Sequence, residues 1–84
     1  MNHFASPRVW SFYRRLPGDV RRRADPAYVL LRENPRHPSL HFKKVGAFWS
    51  ARVTLEYRAL AVEAPDGFVW FWVGKHDEYE KIIG

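Results

Sequence analysis

Apolar residues recur with a helical period through the first half of the chain and alternate with polar ones through much of the second. Three runs, Phe48 to Thr54, Tyr57 to Glu63 and Phe68 to His76, are rich in β-branched and aromatic residues. Pro65-Asp66-Gly67 between the last two is a turn tripeptide, so the pattern predicts three consecutive antiparallel strands. In the first, alternation sets Trp49, Ala51 and Val53 on a packed face and Ser50, Arg52 and Thr54 on the other. The third has no polar face: strict alternation points Trp70 and Trp72 one way, and Val69, Phe71 and Val73 the other. Such a strand is central, or its second face is a binding surface. His76 continues the parity of the tryptophans just past the strand end, where Arg52 and Arg58 would meet it from neighbouring strands.

Upstream, Ser6-Pro7 reads as an N-cap followed by proline at the first helical position. The helix it starts should run from Pro7 to about Leu16, with Val9, Phe12, Tyr13 and Leu16 as its apolar stripe, widened by Trp10, and Pro17-Gly18 as its end. Only His3-Phe4-Ala5 is left before it for a short first strand. Val20, Ala24, Ala27 or Tyr28, and Leu31 keep a helical phase from Asp19 to Glu33, with Arg21, Arg22 and Arg23 on the solvent side. Pro26 interrupts that phase and predicts a kink or break at Asp25, which would then cap a fresh helix start. Two prolines make Asn34 to Ser39 a loop, feeding a strand from Leu40 to Val45. Asp77 and Glu80 have capping-box spacing, and Tyr79, Ile82 and Ile83 give the last two turns an apolar face. The sum is one α+β domain spanning residues 1–84: a short N-terminal strand, two helices packed on one face of a four-stranded antiparallel sheet, and a small C-terminal helix.

Composition narrows the class. Hydrophobic residues make up 46% of the 84 positions and there is no cysteine, so a packed core is affordable without disulfides, and thiolate metal sites are excluded. No apolar run approaches the length of a membrane span or a signal peptide, which points to a cytoplasmic protein with no membrane partner. The net charge of +5 is unevenly spread: residues 1–44 hold ten Lys and Arg against three acids, whereas residues 45–84 hold four against six. A basic half of this kind suits a polyanionic or acidic partner. His37 and His41 have the i, i+4 spacing of a helical metal pair, but Pro38 denies the helix and no carboxylate is close in sequence, so no metal or other cofactor is expected.

Several stretches together resemble the RelE/ParE superfamily of type II toxins. They are Leu16-Pro17, Glu33-Asn34-Pro35-Arg36-His37-Pro38-Ser39-Leu40, Phe42-Lys43-Lys44-Val45, Trp49-Ser50-Ala51-Arg52-Val53, Tyr57-Arg58-Ala59-Leu60 and Val73-Gly74-Lys75-His76-Asp77-Glu78-Tyr79. Their order and spacing, rather than any one motif, carry the likeness. It implies a RelE-like fold and a toxin neutralised by a cognate antitoxin. Many members cleave mRNA on the ribosome without a metal, repressing translation, while the ParE branch poisons gyrase; a homodimer is compatible with either. By the resemblance, Arg52 falls where RelE-like nucleases place a phosphate-binding arginine, and Arg58 where YoeB-like ones do. Lys43 and Lys44 fall on the lysine-bearing strand, and His76 where some members keep a catalytic histidine.

Metal-free RNA cleavage needs a base for the 2′-OH, an acid for the leaving 5′-oxygen, and cations where phosphate charge develops. His76 is the candidate acid, Arg52 and Arg58 the phosphate clamps, and Glu56, in the turn between two strands, the candidate base. Lys43, Lys44, Arg21, Arg22, Arg23 and Lys75 are candidate RNA contacts, with Tyr79 able to stack on a base if it is not core. The plainer reading makes these solvated surface residues. Three functions therefore stay open: an endoribonuclease toxin, a non-catalytic binder of the same fold such as a gyrase poison or decayed toxin, and a simple RNA-binding module. Convergence of Arg52, Arg58 and His76 on one concavity favours the first.

Overall fold

The computed structural model describes residues 2–84. Its elements in chain order are β1 (Asn2–Ala5), α1 (Pro7–Tyr13), α2 (Gly18–Glu33), a 3-10 turn (Pro38–Leu40), β2 (Lys43–Val45), β3 (Phe48–Arg52), β4 (Tyr57–Ala64), β5 (Gly67–Lys75) and α3 (His76–Ile83). The strands form one sheet in the order β1-β5-β4-β3-β2. The four expected antiparallel strands are present, and the short first strand extends them to five by pairing parallel to β5, Asn2 with Gly67 through Ala5 with Trp70. Strand β2 is shorter than the sequence predicts, because the proline-led residues Pro38–Leu40 close a 3-10 turn first.

Alternation holds along β3 and β4 and fails in the middle of β5. Leu60 pairs with Trp72 but Ala61 pairs with Trp70, so Phe71 is an extra residue, a bulge that reverses the parity beyond it. The two tryptophans therefore point to opposite faces, not to the same one. Trp70 joins Leu31, Leu40, Ala51, Ala61 and Phe68 beneath α2, whereas Trp72 packs with Leu60 and Tyr79 beneath α3. A third cluster, Val9, Leu16, Val20, Tyr57 and Val73, joins α1 and α2 to the same face as Trp70. Two helices thus cover one face, and the small helix lies on the other. Reversal at Phe71 lets a strand apolar on both sides serve two cores.

Helix ends depart from the sequence-based expectation. Ser6 starts α1 without a side-chain cap, and α1 stops at Tyr13 rather than near Leu16. The Arg21 guanidinium holds the chain beyond it, donating to the carbonyls of Leu16 at 2.8 Å and Arg14 at 3.3 Å. Helix α2 is continuous through Pro26, so the expected fresh start at Asp25 does not occur. Asp25 instead accepts the Tyr13 hydroxyl at 2.7 Å, a bond that raises the phenol above its ordinary pKa. Packing of Val20 and Leu31 on either side of the proline outweighs the bond that Pro26 cannot donate. Since that bond remains missing on an exposed stretch, Pro26→Ala will stabilise the fold by about 1–3 kcal/mol, read as a higher melting temperature. Helix α3 begins at His76, two residues before the capping box would start it, and Asp77 makes no cap.

Strand β1 is pinned by an aromatic cage. His3 is buried, stacked on Phe68 and Trp70 with Phe42 at its edge, and its backbone carbonyl accepts the Tyr28 hydroxyl at 3.0 Å. Trp70 Nε1–H donates to His3 Nδ1 at 3.1 Å, which leaves the proton on Nε2, a buried atom with no partner. Protonating Nδ1 would set two N–H groups against each other. Burial first, then positive charge including Arg32, lowers the His3 pKa from 6.5. The folded state therefore binds this proton less readily than the unfolded chain does. Stability is full above the unfolded value of 6.5 and is lost as pH falls below it towards the depressed folded value. Melting curves will show that loss between neutral and mildly acidic pH, and His3→Gln will flatten it. Gly67 completes the seam, because a β-carbon there would collide with the backbone of Asn2.

Candidate functional site

The face of the sheet that carries α3 is only partly covered, and the uncovered part is cationic. Arg52 on β3 pairs directly with Arg58 on β4, and Arg58 with Gly74 on β5, so the three form one row across the sheet. Lys43 pairs with Ser50, two residues before Arg52, and lies on the same face. His41, two residues before Lys43, extends the row past β3: its Nε2 is 3.2 Å from Arg52 Nη1. Antiparallel pairing of like charges is unfavourable, so a row of this kind needs a reason or a counter-ion. Among the described residues no carboxylate pairs with Lys43, Arg52 or Arg58; the recorded ion pair is His76 with Glu80.

The two arginines are not equivalent. Arg58 Nη1 donates to the carbonyls of Thr54, Leu55 and Tyr57 at 2.8, 3.1 and 3.2 Å, bracing the turn between β3 and β4. Its pKa is lowered, first by burial and then by the positive charge of Arg52, with the Tyr79 phenol opposing. Arg52 makes its side-chain bond to His41 alone among the hydrogen bonds of the described residues, which leaves most of its fork for a ligand.

His76 stands at the start of α3, beside this row. Its backbone N–H donates to the carbonyl of Glu56 at 2.7 Å, so the turn that Arg58 braces also fixes where His76 sits. The imidazole is half exposed, 3.4 Å from the Glu80 carboxylate through Nε2 and 5.5 Å, centre to centre, from the Tyr79 ring. Gly74 matters here: a β-carbon would press on the Trp72 ring, which lies over it, and Trp72 supports Tyr79.

The other sequence-predicted residues divide. Lys44 pairs with Trp49 and Lys75 with Tyr57, so both fall on the opposite face. Arg22 is exposed on α2, which covers that opposite face, Arg23 lines one cavity together with Arg52 at the end of β3, and Arg21 is engaged with the turn after α1. Tyr79 is core, with only its rim towards the site. The Glu56 side chain is exposed, and its recorded contact with the site is through the main chain. Two residues were missed. Glu80 was legible only as a cap, and His41 only as half of a metal pair. Strand parity does not reach His41, which caps the 3-10 turn in a left-handed conformation before β2 begins, so its contact with Arg52 had no local signal. No three His, Cys, Asp or Glu side chains gather among the described residues in a way that would hold a metal ion. No helix among them is long and apolar enough to cross a membrane.

By sequence, the chain matches no protein-family model and no curated protein. By structure it is similar to a chain of the RelB–RelE antitoxin–toxin complex from Methanococcus jannaschii, with a TM-score of 0.73 and 13% identity over 96% of this chain and 99% of that one. A YoeB/ParE toxin from Agrobacterium tumefaciens aligns at 0.66 with 14% identity over 90% and 99%. A chain of the intact E. coli RelBE toxin–antitoxin complex aligns at 0.62 with 18% identity over 87% and 93%. At these identities the likeness is one of fold.

Proposed function

We propose that this chain, which has the RelE/ParE toxin fold, is the toxin of a type II toxin–antitoxin pair and a metal-independent endoribonuclease acting on mRNA at the ribosome. The observation that carries the reading is the Arg52–Arg58 pair, with Lys43 and His76 on the same open sheet face and, among the described residues, no carboxylate neutralising the arginines. An RNA phosphate supplies the missing counter-charge. Arg52 holds it bidentately, Arg58 and Lys43 add field, and His76 donates a proton to the departing 5′-oxygen as the 2′-oxygen attacks phosphorus. The bond that forms is 2′-O–P and the bond that breaks is P–O5′, leaving a cyclic phosphate and a 5′-hydroxyl.

A cognate antitoxin fits the opposite face. An apolar groove of about 340 Å³ runs between α1, α2 and the sheet, with Trp10 and Val29 exposed beside it. Exposed Arg22 and Arg23 on the same helix layer would attract an acidic amphipathic segment. Folds of this kind also serve as non-catalytic binders, and the unneutralised arginine row is what favours the nuclease.

The test is expression without antitoxin. Growth arrest together with cleaved mRNA on translating ribosomes supports the reading; arrest with intact mRNA and inhibited gyrase would replace it by the ParE-type alternative. RNA binding by the Lys43–Arg52 face will also weaken steeply as salt rises, because each neutralised phosphate releases counter-ions. A flat salt response, measured by anisotropy of a labelled oligonucleotide, would remove that face from the interface.

A further inference from the structure

His41 occupies a left-handed backbone conformation, φ 46° and ψ 42°, the only non-glycine positive φ among the described residues. That conformation ends the 3-10 turn and starts the next strand with Phe42 inward, where it packs against Trp49, Phe68 and Trp70. With Phe42 anchored, His41 is delivered to the cationic face. There it meets Arg52, whose guanidinium has donors only, so His41 Nε2 accepts and carries the ring's free lone pair. The charged groups around it are Arg52 on β3, which it touches, and Lys43 at the start of β2, with Arg58 next along the row and His37 before it in the turn. A histidine set among cations with its lone pair presented is a proton acceptor in waiting.

We propose that His41 is the general base of the cleavage reaction, and that Arg52 keeps its lone pair engaged until a phosphate draws the guanidinium away. The inference rests on the nuclease reading above. In the step, Nε2 takes the 2′-hydroxyl proton while the 2′-oxygen attacks phosphorus, and His76 returns a proton to the 5′-oxygen, so protons and bonds balance. Binding of phosphate and release of the base become one event, and an empty site holds its base in check.

The experiment uses the full chain and two variants. Asparagine tolerates the left-handed conformation, so His41→Asn keeps the backbone and removes the base; His41→Gly guards against misfolding from another direction. Cleavage should fall about a hundredfold or more in both, and the acid limb of the rate–pH profile should disappear. Nitrogen NMR of the free wild type should show the proton on Nδ1. An uncleavable 2′-deoxy oligonucleotide, or Arg52→Gln, should each shift the His41 Nε2 signal as the arginine bond is lost. Wild-type cleavage with an unchanged acid limb in His41→Asn, or loss of that limb in Glu56→Gln instead, overturns this proposal alone. A His41 signal indifferent to both oligonucleotide and Arg52→Gln overturns the gating by Arg52. A wild type that cleaves no RNA, free or ribosome-bound, overturns the nuclease reading and this base with it.

Discussion

His76→Ala will slow RNA cleavage by about a hundredfold or more while leaving the oligonucleotide Kd nearly unchanged. The imidazole is half exposed and its contact with Glu80 is a surface ion pair within one helix turn, so its removal costs the fold little. Its backbone bond to Glu56 survives the substitution, and α3 starts where it did. Loss of activity with an unchanged melting temperature therefore reports on proton transfer. In cells, over-expressed wild type without antitoxin will arrest growth and the variant will be tolerated. A His76→Ala protein as toxic as wild type would show that the leaving oxygen gets its proton elsewhere.

The sequence was informative where a residue's type decides its conformation, and less so where neighbours decide. Strand runs, the Pro65-Asp66-Gly67 turn and the helical stripe of Val20 and Leu31 follow from periodicity and turn chemistry, and all stand in the structure. The parity of Trp72 does not, because one bulged residue at Phe71 reverses every side chain after it, and nothing in Trp70-Phe71-Trp72 announces a bulge. By the same reversal, His76 keeps the parity of Trp72 and falls on the face of the arginine row. Pro26 was read from propensity and overruled by packing on both sides of it. The pairing of β1 parallel to β5 joins residues some sixty-five apart and has no local signature. At the site, the cations were legible as cations; their division of labour was not. That Arg58 spends a nitrogen on three carbonyls, and that Arg52 meets His41, are facts of distance between strands.

That division yields the largest contrast available between two like residues. Arg52→Ala will lower kcat/KM by about a thousandfold, through weaker RNA binding and a slower step together, because the group is lost from both ground state and transition state. It will barely move the melting temperature, since Arg52 supports no backbone group; its bond is to a surface histidine. Arg58→Ala will do the reverse in proportion. Three carbonyls of the β3–β4 turn lose their shared donor, the turn loosens, and with it the Glu56 carbonyl that fixes the His76 N–H. Its melting temperature will fall by several degrees, on the order of 1–2 kcal/mol for a part-buried brace, and its kcat will fall because the acid is misplaced. Arg58→Lys separates the roles further: a lysine keeps the charge, but its ammonium sits one bond short of the position Nη1 holds among the three carbonyls, so field is retained while the turn still loosens. If instead Arg52→Ala melts early and Arg58→Ala does not, the assignment of clamp and brace is inverted, and the phosphate belongs one strand further into the sheet.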